Sequence, residues 1–113
     1  GLTYTRQLGL YTKIGRVVMF HIDIIINSNG SNTGDMNING LPFTVLNTAG
    51  ASFAASVWVN GYSGITTHVS ALAAENSTLI APYYGGGNGA VSVIQETNAI
   101  DSSHIKVSGH YTV

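Results

Sequence analysis

The chain has 113 residues and unusually few charges, since Asp, Glu, Lys and Arg make up only 8% of it and the net charge is −1. Four Lys and Arg cannot neutralise many phosphates, which argues against nucleic acid as a partner. No apolar run reaches the ~18 residues of a membrane helix, and the absence of cysteine excludes a disulfide framework and a thiolate metal site.

The length predicts a single domain over residues 1–113, with one modest core. A monomer this poor in charge has little colloidal protection, because typical soluble domains carry about 25% charged residues. Either Ser, Thr and Asn supply the solubility, or partner chains cover part of the surface.

Short segments of alternating apolar and polar residues, separated by Gly, Asn and Ser, recur along the chain, and helical periodicity is nearly absent. This pattern predicts an all-β sandwich or barrel of roughly eight strands. The first segment, "TYTRQLGLYTKI", is predicted to be extended and to end in a turn near residues 13–15.

The clearest strand is "GRVVMFHIDIIIN", which begins at residue 15. Its even positions predict a face in the core, namely Val18, Phe20, Ile22, Ile24 and Ile26. The odd positions are too apolar for solvent and too polar for a core. We therefore expect Met19, His21 and Asp23 to lie against another subunit.

Further strands are predicted in "DMNINGLPF", "SFAASVWVN", "GITTHVSALAA", "STLIAPYY", "AVSVIQ" and "HIKVSGHYTV". In the last segment, Ile105, Val107, Tyr111 and Val113 share a face, opposite His104, Lys106 and His110. One segment, "QETNAIDSSH", is a candidate for a single helical turn capped by Asn98 or Asp101.

The stretch "APYYGGGNGAVSV" contains a loose G-x-G-x-x-A pattern at Gly85, Gly87 and Ala90. A dinucleotide site would need a helix after the glycines, and "AVSVIQ" is predicted to be a strand. The stretch is therefore predicted to be a hairpin. Tyr83 and Tyr84 have two interpretations, packing in the sheet or stacking against a sugar ring.

Trp58, the only tryptophan, is predicted to lie on the face opposite Phe53, Val57 and Val59. An interface anchor is the favoured interpretation, with a ligand platform and a second core as alternatives. A sugar-binding groove would be lined by Trp58, Tyr62, Tyr83 or Tyr84 beside Asn-rich loops.

No catalytic residue and no metal site are predicted. His21 and Asp23 stand two apart on one strand face, but the sequence identifies no third ligand. No carboxylate pair suited to glycoside hydrolysis can be nominated among the five acidic residues, and the nucleophile motif G-x-S-x-G does not occur.

Three stretches in fixed order, "GLYTKIGRVV", "NINGLPFT" and "HIKVSGHYTV", carry a resemblance that spans about Gly9 to Val113. The chain resembles the small C-terminal β domains of tailed-bacteriophage tail fibres and tailspikes. In that family a G-x-Y-T-K-I-G turn, an I-x-G-L-P-F stop and a final S-G-x-Y strand recur around variable loops. The matching residues here look architectural, namely Gly15, Gly40, Pro42, Phe43 and Gly109.

The resemblance implies a jelly-roll-like antiparallel sandwich, assembled as a homotrimer at the tip of a longer fibre. Its expected role is to recognise host-surface carbohydrate and to help trimerise the fibre, in the virion and outside the cell. It implies no cofactor, and any catalytic module would lie upstream. The alternatives are a structural trimerisation cap without a ligand, a monomeric carbohydrate-binding module and, less favoured, a small lytic enzyme.

Overall fold

The computed structural model describes residues 2–31 and 33–113, and its regular structure is almost entirely antiparallel β-strand. The eight strands are β1 (Thr3–Ile14), β2 (Val17–Ser28), β3 (Ile38–Asn39), β4 (Phe53–Tyr62), β5 (Val69–Ala73), β6 (Leu79–Gly85), β7 (Val91–Val93) and β8 (Ala99–Thr112). The predicted all-β antiparallel class and the predicted number of strands are therefore confirmed.

The strands form one curled sheet with the shape of a half-barrel, in the order β1-β2-β8-β4-β5-β6-β3, and β7 pairs with β6. β4 joins the two halves of this sheet, one made of β1, β2 and β8 and the other of β5, β6, β3 and β7. Phe53, Ala54 and Ala55 pair with β5 on one edge, and the stretch from Ser56 onward pairs with β8 on the other. The curl encloses one apolar core, and β1 and β3 form the two ends of the sheet.

The inner face of β2 contributes to this core as the alternation predicts. Val18, Phe20 and Ile26 are buried. Ile22 and Ile24 are only partly buried, because they line grooves on the open side of the sheet between β1 and the segment around β3. The groove beside Ile22 has a volume of about 200 Å³.

The β1–β2 hairpin turns through Gly15 and Arg16, between the paired residues Ile14 and Val17. Gly15 has φ +59°, a region that costs glycine little and other residues much. A positive φ at the first central residue alone is the pattern of a type II′ turn, whose twist matches that of the strands.

The glycine-rich stretch after Tyr84 is a hairpin connection, as predicted, because β6 and β7 pair on either side of it. Gly86 has φ +93°, and a Cβ there would lie 2.6 Å from Cγ1 of Val91. Any other residue would be strained at this φ and would require the Val91 side chain to shift.

A 3-10 helical turn, Glu96–Asn98, precedes β8 and confirms the predicted single turn. The side-chain oxygen of Asn98 accepts the backbone N–H of Gln95 at 2.8 Å. Asp101 instead accepts the backbone N–H of Asn29. Across the residues described, no helix is long and apolar enough to cross a membrane.

Candidate functional site: the outer face of the β1–β2–β8–β4 sheet

The strands β1, β2, β8 and β4 present a broad outer face away from the core. Residues directly opposite on antiparallel strands share a face, so the register aligns side chains across all four strands. One row consists of Leu8, Asp23, Lys106 and Trp58, and the next consists of Arg6, Ile25, His104 and Asn60.

Asp23 is the centre of an ion cluster on this face. Its Oδ2 lies 3.0 Å from Nη1 of Arg6 and 3.4 Å from Nζ of Lys106. Its Oδ1 accepts a hydrogen bond from Nε2 of His104. These four residues are hereafter the Asp23 cluster.

The Asp23 carboxylate is almost inaccessible, with 4% of its side chain exposed. The side chains that cover it are themselves accessible, 52% for Arg6 and 41% for Lys106. The cations therefore lie between the carboxylate and water. The hydrogen bond from His104, with those from Arg6 and Lys106, outweighs desolvation and holds the pKa of Asp23 well below its usual range.

Trp58 borders the Asp23 cluster. Its ring is edge-on to that of His104, with the centroids 5.2 Å apart and an interplanar angle of 88°. Trp58 is 49% exposed, and Phe53, Val57 and Val59 on the opposite face pack against the core. Its predicted side of the strand is therefore confirmed. A half-exposed indole beside cations is a surface on which a ligand ring can stack.

An apolar strip runs along β1 and β2 on the same face. Its members are exposed, namely Leu8, Leu10, Ile14, Val17 and Met19. Contiguous exposed apolar side chains on a folded domain are typical of interaction surfaces.

The three residues predicted at a subunit contact differ in what they offer to a partner. Met19 belongs to the apolar strip, and His21 lies partly buried between that strip and β8. Asp23 is buried within its own chain by the cluster. Met19 and His21, rather than Asp23, present side-chain surface.

The aromatic residues predicted to line a sugar groove do not share one surface. Tyr62 and Tyr84 turn inward and pack against the core. Tyr62 Oη donates to Sδ of Met36 at 3.7 Å, and burial raises its pKa strongly. Tyr83 lies on the other half of the sheet, paired with Ser70 and Val93, so Trp58 alone faces the Asp23 cluster.

Within 2–31 and 33–113, no group of three His, Cys, Asp or Glu side chains is placed to hold a metal ion. His21 and Asp23 are neighbours along β2, but the histidine bonded to Asp23 is His104. Asp35, Glu75, Glu96 and Asp101 lie outside the paired rows of the outer face.

The partners of Asp23 are the functional feature that the sequence did not indicate. His104 and Lys106 were expected on the polar side of the last strand, but nothing linked them to residue 23. Their contact depends on the pairing of β2 with β8, which joins residues 81 positions apart.

Comparison with protein-family models, with curated proteins and with solved structures found no significant match to this chain.

Proposed function

We propose that the chain is a trimeric tip domain of a tailed-phage tail fibre or tailspike, with a jelly-roll-like fold. In this role it recognises host-surface carbohydrate and holds the fibre subunits together, at the virion surface outside the cell. The observation that carries the proposal is the outer face, where an apolar strip lies beside a half-exposed tryptophan and an ion cluster.

The three stretches that carry the family resemblance meet at one residue, Phe43. Tyr11, from the first stretch, packs edge-on against the Phe43 ring at 5.6 Å, and Nζ of Lys13 lies 5.6 Å from the same ring. From the last stretch, the Tyr111 hydroxyl bonds both backbone groups of Phe43. Their fixed order in the sequence therefore corresponds to one packing unit, which supports a shared architecture.

The apolar strip supports assembly with further copies of the chain. Leu10 and Ile14 are among its most exposed members, and Asp23, the acidic residue within the paired rows of the described strands, is shielded by its cluster. Packing this strip against another subunit removes apolar surface from water, worth about 25 cal/mol per Å². It also accounts for a surface with so little charge.

The test of assembly is the absolute mass in solution, measured by light scattering on a gel-filtration column over a range of concentrations. We expect a trimer of 11.8 kDa subunits at every concentration. Leu10→Glu places a charge in the strip and should yield folded monomers. Leu72→Glu is the matched control, because Leu72 is also exposed, on β5 of the other half of the sheet.

A wild-type chain that stays monomeric would overturn the trimer and favour a monomeric carbohydrate-binding module. A trimer that binds nothing on a glycan array would favour the second candidate, a trimerisation cap without a ligand. That candidate needs only the apolar strip.

A further inference from the structure

The Asp23 cluster holds more positive than negative charge. One carboxylate faces two permanent cations, Arg6 and Lys106, and four other acids of the chain lie outside the paired rows of this face. An anion that approaches the face therefore meets a net attraction. Because the cations cover Asp23, its own charge is farther from such an anion than theirs.

Among the residues that the structure describes, the contacts of both cations leave hydrogen-bond donors for a ligand. A guanidinium has five N–H donors and an ammonium has three. Nη1 of Arg6 and Nζ of Lys106 approach Asp23, and about half of each side chain is exposed. Their ion pairs with Asp23 fix their positions before a ligand arrives, which reduces the entropy that binding would cost.

Trp58 stands directly opposite Lys106 on the neighbouring strand. Such pairs have Cβ atoms about 4.5–5.5 Å apart. A six-membered ring stacked on the indole therefore has its substituents within reach of the ammonium group. Asn60, one row along and opposite His104, adds an amide donor and acceptor on the same side.

We propose that Trp58 and the Asp23 cluster form a binding site for an acidic saccharide, with the pyranose ring on Trp58 and its carboxylate on Lys106 and Arg6. The proposal rests on the proposed function in taking a carbohydrate as the ligand, and it adds the chemical class and the place of binding. The ligand carboxylate supplies the second negative charge that the cluster lacks.

The site is tested with three probes, methyl β-glucuronoside, methyl β-glucoside and acetate. The readouts are the fluorescence of the single tryptophan and the amide and indole shifts in a two-dimensional NMR titration. The glucuronoside should shift the resonances of Trp58, Asn60 and Lys106, and its binding should weaken as salt is added. The neutral glucoside and acetate should each bind at least about 5-fold more weakly, because each lacks one half of the contacts.

Variants assign the contacts. Lys106→Gln should weaken glucuronoside binding at least about 5-fold, since a charge-assisted hydrogen bond is lost, and leave glucoside binding unchanged. Trp58→Ala should abolish the binding of both, followed by NMR because the fluorophore is then absent. Lys13→Gln is the matched control, because it removes a cation near the β1–β2 turn, and it should bind as the wild type does.

Equal responses to acetate and glucuronoside, or equal responses to glucoside and glucuronoside, would overturn the proposal. So would glucuronoside shifts confined to Tyr83 and its neighbours. In that case the proposed recognition of carbohydrate stands and only the site fails. Glucuronoside binding by a monomeric chain would support the acidic-saccharide site and contradict the proposed trimer.

Discussion

The hydroxyl of Tyr111 bonds both backbone groups of Phe43, donating to its carbonyl at 2.8 Å and accepting from its N–H at 3.2 Å. The tyrosine lies near the end of β8 and Phe43 in the segment after β3, 68 residues apart. The Tyr111 ring also stacks on Phe53, with centroids 5.0 Å apart. The last strand therefore fixes a segment that has no strand partner of its own at this point.

Tyr111→Phe tests this connection. The variant keeps the ring and removes the hydroxyl, leaving both backbone groups of Phe43 without their partner. Unpaired groups of this kind cost about 1–3 kcal/mol each when buried. Since Phe43 is only partly buried, we expect the free energy of unfolding in urea to fall by about 1–2 kcal/mol.

Tyr83→Phe is the control for Tyr111→Phe, because Tyr83 belongs to the other half of the sheet and has no resolved partner for its hydroxyl among the described residues. It should unfold as the wild type does. Equal stability of Tyr111→Phe and the wild type would show that water takes over the hydrogen bonds of the Tyr111 hydroxyl with no loss of stability.

Gly15→Ala should destabilise the β1–β2 hairpin, because alanine is strained at φ +59°. The expected loss in the free energy of unfolding is about 1 kcal/mol. Gly9→Ala is a matched control in the neighbouring strand. A Cβ at Gly9 meets no atom within 4 Å and its φ is not positive, so that variant should be neutral or slightly stabilising. Equal losses in both variants would mean that replacing any glycine of this hairpin by alanine is unfavourable, and that the positive φ of Gly15 is not the cause.

Asp23→Asn should flatten the dependence of stability on acid. The folded-state pKa of Asp23 is held below its usual value, chiefly by the hydrogen bond from His104. Below about pH 4 the unfolded chain binds a proton at this position while the folded chain does not. The contribution of Asp23 to stability is therefore complete above that range and is lost as the pH falls through it.

Urea unfolding between about pH 2 and 6 measures the acid dependence across this window. The wild type should be the more stable protein near pH 6, and its advantage over Asp23→Asn should shrink toward acid. Asp35→Asn removes one negative charge at an exposed position outside the cluster. Its free energy of unfolding should fall toward low pH as steeply as that of the wild type. Parallel curves for Asp23→Asn and the wild type would show that the cluster does not stabilise the ionised carboxylate.

Much of the fold was predictable because it depends on local patterns. The even positions of "GRVVMFHIDIIIN" predicted the inner face of β2, and Val18 and Ile26 are fully buried there. The position of Trp58 opposite the core side of β4 followed from the same two-residue period. The glycine-rich stretch was predicted to be a hairpin connection because a strand was predicted after it, and β7 pairs with β6 there.

The strand order and the Asp23 cluster were not predictable, because pairing between distant segments leaves no local signal. Nothing in the period of β8 places it between β2 and β4, yet that position brings Lys106 and His104 to Asp23 and sets Trp58 beside them. The inward turn of Tyr62 and Tyr84 has a similar origin, since it depends on which face the curl of the sheet encloses. Chemistry that relies on such neighbours becomes visible only with the structure.

The contact between Tyr11 and Phe43 should be measurable as a coupling between "GLYTKIGRVV" and "NINGLPFT", two of the three stretches that meet at Phe43. Edge-to-face aromatic pairs are worth about 0.5–1.5 kcal/mol beyond the area that they bury. In a double-mutant cycle of Tyr11→Leu and Phe43→Leu, the double variant should therefore lose less stability than the sum of the singles, by about that amount. The control cycle combines Phe43→Leu with Tyr83→Leu on the other half of the sheet, and it should be additive to within about 0.3–0.5 kcal/mol. Additivity in both cycles would show that the two stretches lie next to each other without stabilising one another.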